Sequence, residues 1–192
     1  MTELRLGIVG KSGVGTSALA IRFVVNRFVD DCDRDVEDCF LMRHSIDEED
    51  YLLDIYNHSD REEFFIMNAL PLRRMQGFLL TYDITSRPSF EWLRNVHEHI
   101  LVIKDEDKVP MILVGNKCDL EEDRQVTTAE GEELASLFGC PMYETSAKNC
   151  INVEEPFYDL VREIRKYNQI RDEESAIWES RRKKGKGTCS LF

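Results

Sequence analysis

The chain has 192 residues, 42% of them hydrophobic, and a formal net charge of −12, which is enough for one sizeable core and short for two. That acidic balance argues against a general nucleic-acid binder, which needs a surplus of Lys and Arg to neutralise phosphates. Cys32, Cys39, Cys118, Cys140, Cys150 and Cys189 show no paired CxxC spacing and no secretory signal precedes them, so reduced cytosolic thiols are expected.

An apolar strand over 4–9 leads into Gly10-Lys11-Ser12-Gly13-Val14-Gly15-Thr16-Ser17 and then into a helix-forming run over 18–23. This is the setting of a phosphate loop. In the GxxxxGK[ST] pattern, glycines let backbone N–H groups turn inward, the helix N-terminus adds its dipole, a lysine reaches the terminal phosphates and a hydroxyl holds magnesium. Gly10, Gly15 and Ser17 match, with Lys11, Gly13, Val14 and Ala18 alongside, but Thr16 stands where the lysine belongs. The spacing predicts a phosphate cradle without its principal cation.

Residues 26–40 are polar and acid-rich with no sustained period and are expected to form a long exposed loop, a feature that is usually functional in a compact domain. A hairpin is expected from strands over 40–46 and 51–56 about the acidic turn 47–50. The wholly polar run 57–63 follows the second strand directly, at a strand's C-terminal end, where ligands of open α/β sheets sit. Asn57-His58-Ser59 fits the glycosylation pattern, which a cytosolic chain does not use.

Further on, 77–83 is a buried strand, Ser86 and Pro88 mark a helix start, and an amphipathic run extends over 90–104. A second buried strand, 110–115, ends at Asn116-Lys117-Cys118-Asp119. A helix over 127–138, a short strand over 141–144, Thr145-Ser146-Ala147-Lys148 and a last helix over 153–167 complete the pattern. Alternating strands and helices predict an α/β fold with a mostly parallel sheet covered on both faces. Beyond Arg171 the apolar period stops, and residues 171–192 are expected to be a flexible basic tail. No apolar run approaches the roughly 20 residues that span a bilayer, so membrane contact would need an anchor.

The two elements after buried strands have a specific use. A carboxylate at Asp119 accepts both N1–H and the 2-amino group of guanine, a pair that adenine lacks, and the Asn116 amide binds the base edge and ties loops together. Ser146 and Ala147 present backbone N–H groups to guanine O6, with Lys148 alongside. Such a site rejects the wrong base because buried polar groups would be left unpaired.

With these elements in this order, the chain resembles the Ras family of small GTPases over residues 1–170, in Phe28-Val29-Asp30, Glu37-Asp38, 52–55, 109–120, 144–148 and 157–166. The resemblance implies a P-loop fold with a six-stranded sheet, GDP and GTP as ligands, and Phe28 packed on the guanine. It also implies an effector loop, switch I, at Cys32, Asp33, Arg34, Asp35, Val36, Glu37, Asp38, Cys39 and Phe40, and a switch II over 57–72. The departures cluster at the phosphate end. Besides Thr16, the family's switch I threonine is Asp35, and its switch II Asp-Thr-Ala-Gly-Gln is Asn57-His58-Ser59-Asp60-Arg61. Magnesium, which Ser17 and Asp35 would hold, is therefore expected to be weakened or absent. Arg61 takes the place of the glutamine that orients water. Lys11 stands where some other P-loop ATPases carry an additional lysine, although Asp119 and Ala147 point to guanine.

The end, Cys189-Ser190-Leu191-Phe192, fits the CaaX prenylation pattern, and five basic residues over 181–186 supply an attraction to anionic lipid. Two readings remain open: a membrane-anchored guanine-nucleotide-binding protein with impaired hydrolysis, and a slow but active switch. The cytoplasmic face of the plasma membrane or of endomembranes is the expected location.

Overall fold

β1 (Thr2–Lys11) is the strand on which the sheet is assembled, because its side chains are buried on both faces, with Leu6, Ile8 and Val9 wholly inaccessible. The structure is a computed structural model that describes residues 1–28, 38–60 and 69–185. After β1 come α1 (Thr16–Val25), the hairpin β2 (Asp38–Ile46) and β3 (Glu49–Asp60), and a short α2 (Ala69–Arg74). β4 (Gly77–Asp83), α3 (Arg87–Lys104), β5 (Met111–Asn116), α4 (Thr128–Phe138), β6 (Met142–Glu144) and α5 (Glu155–Gly185) follow. The strands form one six-stranded sheet in the order β2-β3-β1-β4-β5-β6, with β2 antiparallel to β3 and the other pairs parallel.

The helices cover both faces, as expected from the alternation. On one face Leu19 and Phe23 of α1 and Phe157, Leu160, Val161 and Ile164 of α5 pack over Leu4, Leu6, Ile8 and Leu53. Phe23 and Phe157 stack with ring centroids 3.9 Å apart. On the other face α2, α3 and α4 bring Leu72, Leu93, Val96, Ile100 and Leu134 against Val9, Phe78, Leu80 and Leu113. Each such side chain contributes about 1.5–3 kcal/mol when fully buried. The loops at the C-terminal ends of β1, β4 and β5, together with the segment after β6, are thereby held on a rigid base.

Local rules explain the helix ends. Ser86 is the N-cap of α3 with Pro88 in its first turn, and α4 opens with a capping box in which Thr127 accepts from the Glu130 backbone and the Glu130 carboxylate accepts from the Thr127 backbone. No helix among the described residues is long and apolar enough to cross a membrane.

Two expectations need correction. The second strand does not end at 56: β3 runs on through Asp60 in parallel register with β1, pairing Asn57 with Ile8 and His58 with Val9, and both of these side chains are buried. The backbone pairing of β1 extends β3 through polar residues that carry no strand-like period. The last helix also does not stop near 167 but continues to Gly185. Residues 172–185 are rich in Glu, Lys and Arg, which favour helix by propensity without an apolar face.

Candidate functional site

The chain leaves β1 at Lys11 and turns through Gly13 and Gly15, at φ +87° and +93°, before entering α1. These left-handed values suit glycine, and a Cβ on Gly13 would meet nothing within 4 Å, so the loop stays open above that position. Gly10 serves close approach: a Cβ there would lie 2.6 Å from the Thr81 carbonyl and 2.9 Å from Thr16 Cγ2. No side chain caps α1 at Gly15, and its first turn holds no acidic residue. Its leading N–H groups, at Thr16, Ser17 and Ala18, therefore face the loop opening as an anion site.

Thr16 is 3% exposed, with its methyl turned toward Gly10. Where the phosphate-loop pattern has a cation, the site holds a buried methyl. Asn57 enters from β3 and its Nδ2 donates to Ser17 Oγ at 2.8 Å, while Asn57 Oδ1 is buried without a hydrogen-bond partner among the described residues. A hydroxyl that binds a cation uses its lone pairs on the metal and gives its proton to a carboxylate. Here an amide N–H takes up one of those lone pairs.

The C-terminal end of β5 delivers the second half of the site. Asn116 Nδ2 donates to the Val14 carbonyl at 2.9 Å, and Asn116 Oδ1 accepts from Thr145 Oγ1 at 3.1 Å. Lys117 Nζ donates to the Gly13 carbonyl at 2.7 Å and pairs with Asp83 at 2.6 Å. Ser146 Oγ donates to Asp119 Oδ1 at 2.5 Å and accepts from the Asn149 backbone at 2.9 Å, which orients the carboxylate that would read the base. Arg22, from the last turn of α1, donates to the Ala147 and Lys148 carbonyls and lies over Phe28 at 6.0 Å. Burial, then the charges of Glu144 and Asp119, push the Cys118 thiol up, so it stays protonated beside these groups.

Gly10 to Ala18, Phe28, Asn116, Lys117, Asp119 and Ser146 to Lys148 thus converge on one edge of the sheet. The donor set fits a nucleotide, with backbone N–H groups and Lys117 at one end and an oriented carboxylate beside the Ala147–Lys148 segment at the other, although the Ser146 N–H expected to face guanine O6 donates instead to the Ile151 carbonyl at 3.0 Å. Asp38, Cys39 and Phe40 open β2 and pair with Asn57, Tyr56 and Ile55 of β3, at the end of the sheet where Asn57 meets Ser17. Cys32, Asp33, Arg34, Asp35, Val36, Glu37, Arg61 and Cys189 lie outside the described residues.

The sequence model of the Ras family matches residues 5–166, a span that contains every element of this site. The chain belongs to the Ras family. "Ras-like protein rasS" of Dictyostelium discoideum is 47% identical to it over 169 residues, covering 88% of this chain and 87% of that protein. As a Ras-family small GTPase the protein is a GTP-binding signalling protein, and the family works through protein effectors and carries its nucleotide with magnesium. Its Ras-type nucleotide edge contains three groups that sequence reasoning missed: Arg22, Asp83 and Thr145. Asp83 offered a signal, a carboxylate at the end of a buried strand beside the strand bearing Asn116. Arg22 offered only a lone cation in an otherwise apolar helical run.

Proposed function

We propose that this Ras-family protein is a membrane-anchored guanine-nucleotide-binding signalling protein that holds GDP better than GTP, binds magnesium weakly and hydrolyses GTP very slowly or not at all. The observation that carries this reading is the buried Thr16 methyl at the position of the phosphate-loop cation. Charged contacts to phosphate contribute about 1.5–3 kcal/mol each. Losing the lysine and weakening the ion then costs about two to four decades of affinity, at about 1.4 kcal/mol per decade. The base end, with Asn116, Lys117 and Asp119 tied to the loop and to Ser146, supports retained guanine binding.

Catalysis is less forgiving than binding. Ras itself hydrolyses GTP on the order of 10⁻⁴ s⁻¹ without help; Asp35 and Asp60 replace by sequence the family's threonine and glycine that meet γ-phosphate, and Arg61 replaces the glutamine that orients water. Effectors would meet residues 32–40. A prenyl group on Cys189, together with the basic residues 181–186, would hold the chain to anionic lipid on the cytoplasmic face of the plasma membrane or endomembranes. Cell fractionation tests the anchor: Cys189→Ser is expected to shift the protein to the soluble fraction, and equal membrane content would overturn it.

Single-turnover GTP hydrolysis tests the rest. The unaltered protein, Thr16→Lys, and the quintuple revertant Thr16→Lys, Asp35→Thr, Asn57→Asp, Asp60→Gly, Arg61→Gln are compared. Thr16→Lys is expected to improve affinity far more than turnover, and only the quintuple variant to recover measurable turnover, because groups that act as a unit are strongly non-additive. An ordinary intrinsic family rate in the unaltered protein would instead establish a slow but active switch.

A further inference from the structure

Arg22 is not among the phosphate-loop or base-reading residues, yet it reaches the base end through several groups at once. Its Nε donates to the Ala147 carbonyl at 2.7 Å and its Nη2 to the Lys148 carbonyl at 3.0 Å, across 125 and 126 residues of chain. Its Nη1 reaches the Asn26 carbonyl at 3.3 Å, where α1 ends in the left-handed conformation, φ 52°. The guanidinium carbon lies 6.0 Å from the centroid of the Phe28 ring.

One planar, permanently charged fork therefore joins three things: the helix that starts at the phosphate loop, the loop whose amides face the base, and the segment leading to the aromatic ring on the base's other side. Lysine could not span these acceptors at once, because a single ammonium lacks the fixed fork. The carbonyls of 147 and 148 are thereby fixed to α1, which sets the conformation of the loop expected to lie against the base. Thr145 and Ser146 are already tied to β5 and Asp119, so Arg22 acts on the next two residues, 147 and 148.

We propose that Arg22 is a positioning residue that sets the lifetime and the base selectivity of bound nucleotide, by locking residues 147–148 and the approach to Phe28 against α1. Where Thr16 has removed a cation from the phosphate end, Arg22 stiffens the base end, so retention depends on the base more than on the phosphates. This rests on the reading of the site as a guanine-nucleotide site.

The test uses the full-length protein with fluorescently labelled GDP and ADP, in the unaltered form and as Arg22→Ala, Arg22→Gln and Arg22→Lys. Expected are GDP dissociation faster by about tenfold or more in Arg22→Ala, because charge-assisted hydrogen bonds exceed a decade each. A lower GDP-to-ADP affinity ratio and an intermediate rate for Arg22→Lys are also expected. A helix-stabilising role alone would lower the melting temperature of the nucleotide-free protein and leave the GDP-to-ADP ratio unchanged, which would overturn the proposal. So would a GDP release rate in Arg22→Ala within twofold of the unaltered protein. Should Arg22→Ala not fold, Arg22→Gln decides by the same ratio. An unaltered protein that does not prefer GDP to ADP would defeat the guanine reading itself, a result separate from either outcome for Arg22.

Discussion

Asn57 Nδ2 donates a hydrogen bond to Ser17 Oγ at 2.8 Å, so two side chains that would share a magnesium shell are bonded to each other in the opposite sense. A carboxylate at 57 would accept the Ser17 proton and leave its lone pairs for a cation, whereas the amide occupies one of them.

The first prediction concerns metal dependence. Chelating magnesium should change GDP dissociation from the unaltered protein by less than about threefold, and Asn57→Asp should make release strongly chelation-sensitive. Stopped-flow release of labelled GDP with magnesium and with EDTA measures both. Tens-fold acceleration of the unaltered protein by EDTA would rule out weakened metal binding.

Gly15 offers a structural test. An alanine there would have to adopt φ +93° and place its Cβ 2.5 Å from Asn116 Nδ2, the atom that holds the Val14 carbonyl. Gly15→Ala should cost about 1–3 kcal/mol from backbone strain alone and should loosen nucleotide binding at both ends together. Urea unfolding combined with GDP titration checks this, and an unchanged midpoint would show that the loop relaxes freely.

Asp83 carries a third prediction. Its carboxylate is 8% exposed, pairs with Lys117 Nζ at 2.6 Å and accepts from the Thr85 backbone and hydroxyl through Oδ1. Asp83→Ala removes all three contacts and leaves Lys117 held only by the Gly13 carbonyl, so stability should fall by about 2 kcal/mol and GDP release should quicken. Asp83→Asn, which retains the Thr85 contacts, should recover stability more than nucleotide retention. Identical recovery of the two properties would count against Asp83 acting through Lys117.

A fourth prediction uses pH. The Arg87 guanidinium, with the Thr127 backbone and hydroxyl adding, holds the Glu130 carboxyl down to about 2. The unfolded chain keeps it near 4.3. Because the folded value is the lower one, the contribution of Glu130 is complete above about pH 5 and is lost as pH falls from there toward 2. Thermal melts from pH 6 to 3 should therefore show a steeper acid loss for the unaltered protein than for Glu130→Gln, with the two curves converging at the acid end. Parallel curves would mean that the Arg87–Glu130 pair contributes nothing to folding.

The fold class was legible because β1, β4 and β5 carry apolar cores and alternate with helical runs, and because β1 and β5 end at motifs whose chemistry fits a nucleotide. Asn116, Lys117 and Asp119 could be placed for the same reason. What local pattern could not reveal was pairing at long range. Asn57 and His58 look like loop in one dimension and become strand only because β1 lies beside them. The Arg22 contact crosses 125 residues. The continuation of α5 was hidden for another cause: its last turns are exposed on all sides where described, so they carry helix propensity but no period.

That continuation bears on geometry outside the domain. Arg171 still reaches Glu106 at 3.3 Å, and from there the helix carries the backbone roughly 20 Å to Gly185, at about 1.5 Å per residue. A coil of the same length would let its far end wander with the square root of its length. A helical spar instead sets a stand-off, and it has a phase: one residue inserted before Gly185 advances everything beyond it by about 1.5 Å but turns it by about 100°. The direction in which the segment leading to Cys189 departs would then change with each residue of spar length far more than its distance from the sheet.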